Sequence, residues 1–354
     1  MLFSYLSILI TTVVATPSPA HHDIPSQRSP LALAPFHTLQ AEHQDQAVNN
    51  SYIVVLKDDL STFATDNHFN LLQAINEEDP LIADVPTGIS QVYNSYLKGY
   101  AGRFTDAVVQ RIREMPEVSF IEQDSIVRAF ETQHSAPWVR PSAIVVWLMT
   151  DSAFQGLARV SHRKKLGPDT YALYEHDPTG GEGVDVYIID TGIKIHHAEF
   201  EGRASWGKTI PKHDVDEDAN GHGTHCAGTV GSRKYGVAKA ANLIAVKVLG
   251  SNGSGSTSDV IAGVLWTTEQ AATKLAAAKA EYAATGRTKH KGSVVNMSLG
   301  GRKSIAMDRT VDRPSTLACT SLSLPATTTW TLAIFPPLPL KRLLLSMLPT
   351  WVMK

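Results

Sequence analysis

Val186-Tyr-Ile-Ile-Asp-Thr-Gly192 and Asn220-Gly-His-Gly-Thr-His-Cys-Ala-Gly228 are the two stretches that decide the fold of this 354-residue chain. The first is an apolar, β-rich run that ends at Asp190 and then turns, so it predicts a buried strand with a carboxylate at its carboxyl end. The second places His222 between two glycines, where a helix of small residues begins and the backbone can approach the imidazole closely. We therefore expect Asp190 and His222 to meet.

The two side chains have a chemical use when they are paired. A buried Asp that accepts a bond from one imidazole nitrogen fixes the tautomer, and the other nitrogen can then take a proton from a nucleophile. In that interpretation Asp190 orients the ring and His222 is the general base. Taken singly, Asp190 could cap a turn and His222 could be an ordinary loop histidine. Their order and spacing together favour the catalytic interpretation.

The stretches Asp190-Thr-Gly192 and Gly221-His-Gly-Thr-His225 closely resemble the Asp and His boxes of the subtilisin-like serine proteases. The resemblance is closest to the fungal proteinase K branch, and within it to the vacuolar cerevisin-type enzymes, and it covers residues 51–312. It implies an α/β fold with a three-layer, parallel-sheet subtilisin-like domain, of which this chain holds an incomplete copy. It also implies a monomeric serine endopeptidase that acts on proteins or peptides and needs no cofactor.

The segments before the Asp box predict a precursor protein. An apolar run at the start of the chain predicts a signal peptide within residues 1–20, and hence a vacuolar or extracellular destination. Residues 51–130 alternate strand and helix patterns, which predict a small α+β unit. This unit resembles the ferredoxin-like inhibitor I9-type propeptide of these proteases. The resemblance implies an intramolecular inhibitor that is cut off near residues 128–133, followed by the N-terminal part of the peptidase domain at 131–312.

Two glycine-containing segments are candidates for the substrate channel. Leu243 to Leu249 predicts a buried strand of the parallel kind, and a helix follows from Asp259, so strand and helix alternate as in an α/β layer. The resemblance implies that residues of the intervening loop and of the stretch 294–301 form the two walls, where a peptide pairs as an added strand. A plain linker and a core strand ending in a Gly turn are the alternatives. The candidate substrate-binding residues are Asn252, Gly253 and Ser254 on one wall and Ser298, Leu299 and Gly300 on the other.

Two segments depart from the family pattern. Residues 139–155 interrupt a run that the family continues as Ala-Pro-Trp-Gly-Leu-Ala-Arg. We interpret them as a retained intron, since a Val codon begins with GT and a Gln codon can end with AG. After Asp312 the family's Ala-Ala-Gly-Asn and Gly-Thr-Ser-Met-Ala motifs do not occur. Residues 313–354 have no amphipathic period and no paired turn signals, and we interpret them as a frameshifted tail. The chain as written then lacks the oxyanion Asn and the Ser nucleophile, and is predicted to be inactive.

Metal sites are disfavoured by the residues themselves. Asp216 to Gly221 match the first half of an EF-hand loop, but Ala227 stands at the twelfth position, and no zinc motif accompanies His222 and His225. A net charge of -2 and two cysteines give no sign of nucleic acid, an anionic membrane or a disulfide framework. We predict no metal. Two alternatives stay open: a non-catalytic product with only a protease-binding, propeptide-like unit, and a metal-dependent hydrolase.

Overall fold

The computed structural model describes residues 33–81, 87–129, 152–171, 173–315, 319–323 and 330–334. These residues belong to one compact unit, residues 33–354. The predicted signal peptide and residues 139–151 of the predicted insert lie outside the described residues. The last four residues of that insert open a helix that continues to Ser161.

The first part of the described chain is a four-stranded antiparallel sheet with two helices on one face. Its order is β5-β2-β4-β3, and the short β1 adds in parallel to β5. This order is the ferredoxin-like arrangement, as predicted. The hydroxyls of Ser61 and Thr105 cap the two helices by accepting bonds from Ala64 N and Val108 N. The elements are β1 (Phe36–His37), β2 (Ala47–Leu56), α1 (Thr62–Glu78), β3 (Gly88–Asn94), β4 (Lys98–Arg103), α2 (Asp106–Arg113) and β5 (Val118–Ala129).

The second part is an α/β layer, as predicted, built on a sheet of order β12-β13-β10-β6-β8-β7. The strands β10, β6, β8 and β7 run in parallel, and helices connect β7 to β8 and β8 to β10. The elements are α3 (Ser152–Ser161), β6 (Val184–Asp190), β7 (Ala204–Thr209), α4 (His222–Gly231), β8 (Asn242–Lys247), β9 (Ser254–Ser256), α5 (Thr257–Thr285), β10 (Gly292–Met297), β11 (Leu299–Gly300), α6 (Ile305–Ser315), β12 (Cys319–Ser323) and β13 (Trp330–Ile334).

Helices cover both faces of the parallel strands, because alternate residues of each strand point to opposite sides. Tyr187 and Ile189 of β6 pack in the core that contains Val260 and Val264 of α5. Their neighbours in the same strand pack in a second core, which contains Ala227 of α4. The strands β6 and β8 are buried on both faces, which explains why their sequences read as almost unbroken apolar runs.

The strands β12 and β13 lie in the stretch 313–354, where the sequence shows no amphipathic period and no paired turn signals. In the structure β13 pairs antiparallel with β10, from Ser293↔Ile334 to Met297↔Trp330, and β12 pairs with β13. The physical reason is the open edge of β10, whose backbone groups need partners. Threonine and tryptophan in these segments suit a strand.

The long strand β5 joins the two parts. Its first half lies in the ferredoxin-like sheet, where it pairs with β2. Its last residues, Ile126 to Ala129, leave that sheet and pair antiparallel with β9 on one edge and β11 on the other. One strand therefore links the ferredoxin-like unit to the carboxyl ends of the parallel strands. Among the described residues, no helix combines the length and the apolar character needed to cross a membrane.

Candidate active site

Asp190 lies at the carboxyl end of β6, where its side chain is fully buried. Its Oδ1 accepts a hydrogen bond from Thr191 N at 2.7 Å. Its backbone carbonyl accepts bonds from Val248 N and Leu249 N, at 2.9 and 3.2 Å. The neighbouring strand β8 and the residues after it therefore fix the backbone that carries this carboxylate.

His222 is the first residue of α4, and the glycines on either side make this position possible. Gly221 has a left-handed φ of 99° at the N-cap. Gly223 lies so close to the turn after β6 that a Cβ added to it would be 2.2 Å from Gly192 O. Only a glycine allows the start of this helix to approach the end of that strand.

The predicted pair forms. Asp190 Oδ1 lies 2.8 Å from His222 Nδ1, and the imidazole is only 17% exposed. The hydrogen bond to the carboxylate raises the pKa of His222, burial opposes it, and the charges of Asp190 and Asp218 raise it further. Because Nδ1 donates its proton to the carboxylate, Nε2 is the nitrogen that can accept a proton. The arrangement can therefore act as an oriented general base.

Cys226 lies one helical turn after His222, with Sγ 3.9 Å from Nδ1. Burial raises the pKa of this thiol to about 11, and the charge of Asp190 adds to the effect. The thiol is therefore protonated near neutral pH and is a poor nucleophile. Within the described part of the chain, Asp190, His222 and Cys226 are the one group whose possible ligand atoms lie within 4.8 Å of one another.

Four of the six predicted channel residues meet the end of β5. Arg128 lies opposite Ser254 of β9 and Gly300 of β11. Ala129 lies opposite Leu299 and donates its N–H to Gly253 O at 2.8 Å. A segment of extended chain thus occupies the space between the two predicted walls as an added strand.

The other two predicted channel residues do not pair with β5. Asn252 is exposed, and its Oδ1 accepts a bond from Ser254 N at 3.0 Å, which shapes the loop. Ser298 Oγ accepts a bond from Asn296 Nδ2 at 3.1 Å, and this hydroxyl also interacts with the Cys226 thiol. Both residues support the walls.

The His222 loop contacts both walls of this channel. Asn220 Nδ2 donates to Ser251 O at 2.9 Å, which connects the loop to the wall that contains β9. The contact between Cys226 and Ser298 connects α4 to the wall that contains β11. The Asp190–His222 pair is therefore tied to the groove in which the β5 strand lies.

Asp218 was not predicted as a site residue, yet it is fully buried and accepts hydrogen bonds on both carboxylate oxygens. From the sequence, the acidic run at 216–221 was interpreted only as a possible metal loop. A signal was available, since an Asp shortly before Asn-Gly and a helix start is typical of a residue that binds nearby backbone N–H groups. Hydrogen bonds from Thr224, Gly221 and Thr191 outweigh burial and hold the pKa of Asp218 below its usual value.

Two buried carboxylates of β5, which were also not predicted from the sequence, contact the amino ends of helices. Asp124 accepts bonds from Ser258 N at 3.1 Å and Ser258 Oγ at 2.6 Å, in the first turn of α5. Glu122 Oε2 accepts a bond from Ala306 N at 3.0 Å, in the first turn of α6. Each carboxylate satisfies an N–H group that has no partner within its helix. The ferredoxin-like unit is therefore attached by polar contacts as well as by β5.

Comparison with known families matches both parts of the chain. Residues 181–329 match the Subtilase family, and residues 51–130 match the peptidase inhibitor I9 family. A solved structure described as a cold-adapted subtilisin-like serine proteinase aligns with 47% of this chain and 54% of its own length, at 38% sequence identity and a TM-score of 0.38.

Several fungal proteins are similar over most of the chain. A subtilisin-like protease of Coccidioides posadasii is 40% identical over 325 residues, covering 87% of this chain and 60% of the relative. Subtilisin-like protease 8 of Arthroderma otae is 41% identical, covering 80% and 59%. Alkaline protease 2 of Aspergillus fumigatus is 41% identical, covering 87% and 60%. This chain therefore spans 59–60% of the length of these relatives.

Proposed function

We propose that this chain derives from a serine endopeptidase made as an inhibited precursor. The chain belongs to the subtilase family through residues 181–329, and it carries a peptidase inhibitor I9 region at 51–130. The observation that carries the proposal is the 2.8 Å contact between Asp190 and His222 beside a groove that holds an extended strand. Proteins and peptides are the substrates, since the groove pairs with a peptide backbone. No metal or other cofactor takes part.

Asp190 and His222 have distinct roles in this proposal. Asp190 keeps the proton of the imidazole on Nδ1 and stabilises the imidazolium that forms. His222 Nε2 takes the proton of the attacking serine hydroxyl and then passes it to the leaving amine. The serine itself belongs to the family's Gly-Thr-Ser-Met-Ala motif, which is not within residues 1–354. A polypeptide of residues 1–354 alone is therefore inactive, because loss of the serine costs about a million-fold in turnover.

The I9 region acts as the intramolecular inhibitor. The residues of β5 from Ile126 to Ala129 fill the groove and use the backbone groups that a substrate strand needs. Gly253, Ser254, Leu299 and Gly300 bind the backbone of either strand, and Asn252 and Ser298 support them. Cleavage after this strand, within 128–133, would free the groove. The N-terminal segment, 1–20, directs the precursor into the secretory pathway, towards the vacuole or the cell exterior.

Labelling with a serine-directed fluorophosphonate tests the activity. The protein expressed from the mature transcript of the gene is expected to be labelled, and a polypeptide of residues 1–354 is expected not to be. Labelling of residues 1–354 would overturn the assignment of the nucleophile to the missing motif. A transcript product that takes no label but loses hydrolytic activity on chelation would favour a metal-dependent hydrolase instead.

A second function rests on the same strand. The two-sided pairing of β5 suits a unit that blocks another protease of the family in trans. In a product in which only the propeptide-like unit folds, this strand is free of its own groove, and residues 1–354 would then inhibit a purified fungal subtilisin-like protease. Val127→Asp is the variant that disrupts this strand, because it places a charge on a side chain that is 4% exposed and packs in the apolar cluster beside the groove. Inhibition that V127D leaves unchanged would show that the strand is not the inhibitory element.

A further inference from the structure

Asp218 lies between the strand that ends in Asp190 and the helix that begins with His222. Asp218 Oδ1 accepts a bond from Thr191 Oγ1 at 2.8 Å. The same threonine hydroxyl accepts a bond from Gly223 N at 2.9 Å, so it connects the strand end to the first turn of α4. Thr191 and Asp218 are both fully buried.

The other hydrogen bonds of Asp218 hold the loop before α4 and the first turn of that helix. Its Oδ1 also accepts bonds from Asn220 N at 3.2 Å and Gly221 N at 2.8 Å. Its Oδ2 accepts bonds from Thr224 N at 2.9 Å and from the Thr224 hydroxyl. That hydroxyl accepts a bond in turn from Lys194 N, four residues after Asp190, at 2.9 Å. One buried carboxylate therefore fixes the chain on both sides of the Asp190–His222 contact.

Thr191 is held from its other side as well. The ammonium group of Lys247, itself buried, donates to Thr191 O at 3.0 Å and lies 3.5 Å from Asp214 Oδ2. Thr191 N donates to Asp190 Oδ1. Each polar group of Thr191 thus has a partner, and Asp218 supplies the contact that leads to the helix of His222.

We propose that Asp218 is a positioning residue, which holds the imidazole of His222 at bonding distance from Asp190 through the Thr191 hydroxyl and the first turn of α4. The proposal rests on the proposed function only in taking that pair to be catalytic. The charge of Asp218 by itself raises the pKa of His222, so removing that charge shifts the titration even if Asp218 only stabilises the loop at 216–221. A purely structural carboxylate would, however, leave the hydrogen bond of the Nδ1 proton in place. The Nδ1 proton, and the response of His222 to the uncharged change Thr191→Val, therefore distinguish the two roles.

The test is NMR of the full chain with isotope-labelled histidine, in which His222→Gln identifies the resonances of His222. Asp218→Asn keeps an oxygen that can accept from Thr191, but it removes the charge and one acceptor for Thr224. Thr191→Val removes the hydroxyl and keeps the side-chain shape. The matched controls are Asp216→Asn, an exposed carboxylate two residues away that accepts a bond from Thr209 Oγ1, and Thr191→Ser, which keeps the hydroxyl.

Asp218→Asn and Thr191→Val are expected to move the His222 titration to lower pH and to abolish the far-downfield resonance of the Nδ1 proton. Asp216→Asn and Thr191→Ser are expected to leave both unchanged. A folded D218N protein that keeps the far-downfield Nδ1 resonance overturns the proposal. If D218N does not fold, T191V decides in the same way. The measurement reads the imidazole without any hydrolysis, so a failure of fluorophosphonate labelling would not affect its result.

Discussion

The imidazole of His222 is more basic in the folded protein than in the unfolded chain, because Asp190 accepts its Nδ1 proton. A raised pKa in the folded state means that His222 stabilises the fold fully below its ordinary value of 6.5. This stabilisation is lost as the pH rises through the folded-state pKa. We predict that the difference in unfolding free energy between wild type and His222→Gln, measured in urea, shrinks as the pH rises from 5 to 9.

His225→Gln is the control for this prediction, since His225 is exposed in the same helix. Its difference from wild type should stay flat over the same range. A flat difference for H222Q would mean that the bond to Asp190 does not govern the protonation of His222.

Gly223 and Gly228 both lie in α4, yet their surroundings differ. A Cβ on Gly223 would lie 2.2 Å from Gly192 O and 3.1 Å from Asp190 Cβ, whereas a Cβ on Gly228 would meet nothing within 4 Å. We predict that Gly223→Ala destabilises the protein by about 1–3 kcal/mol, because the helix start must move away from the strand end. Gly228→Ala should stabilise it by about 1 kcal/mol, through helix propensity alone. Urea unfolding of both variants measures the difference, and equal effects would contradict the close approach.

At the scale of elements, the sequence predicts best where one local pattern determines the structure. The strand Val118–Ala129 and the strand ending at Asp190 follow directly from apolar and β-branched runs. Only the start of the helix α5, near Asp259, was predicted, and not its length. Its 29 residues form one helix because no glycine or proline interrupts it between Gly263 and Gly286.

Contacts that depend on distant residues could not be predicted in this way. The pairing of β13 with the edge of β10 depends on which edge is open, and no pattern within residues 313–354 contains that information. Asp218 is a similar case, because its partners lie in two elements that the sequence separates. The pairing of β5 with both walls was accessible only through the family resemblance.

Asp124 makes the attachment of the I9 region sensitive to pH. Burial raises its pKa from 3.8 to about 6, although Ser258 and Ser51 donate hydrogen bonds to it. A carboxyl group whose pKa is raised on folding binds more protons in the folded state, so the fold loses stability as the pH rises from about 4 to about 6. We predict that Asp124→Asn removes this loss, because an uncharged amide can replace the protonated acid at the start of α5.

Thermal unfolding at a series of pH values between 3.5 and 7 measures the effect of Asp124→Asn. Asp66→Asn, an exposed substitution in α1, should follow the wild-type curve throughout. If D124N showed the same decline as wild type, other groups would account for the pH dependence.

At the scale of the whole molecule, the two segments that depart from the family predict a difference between gene and transcript. Sequencing the transcript across the codons for 138–156 and from Arg313 onward should show that the insert is absent and that an extra base restores Ala-Ala-Gly-Asn and a later Gly-Thr-Ser. A transcript that encodes the chain as printed would contradict both the intron and the frameshift.

The I9 region and the subtilase region share one hydrophobic core. Leu97, in the turn between β3 and β4, packs in the cluster that contains Tyr187 and Val260. Leu72 in α1 packs in a separate cluster, formed by residues of the I9 region and the segment before it. Both leucines are 1% exposed. They form a matched pair, since the same substitution removes the same atoms from a shared core and from a local one.

We predict that Leu97→Ala and Leu72→Ala each cost about 2–5 kcal/mol of unfolding free energy, because each leaves a buried cavity. Hydrogen exchange should separate them. Leu97→Ala weakens the packing against α5, so amides of Thr257–Thr285 should exchange faster, whereas Leu72→Ala should affect mainly α1 and α2. Equal exchange in α5 for both variants would mean that the two regions open only as a single unit. Slower opening of α5 in L97A than in L72A would contradict the shared core itself.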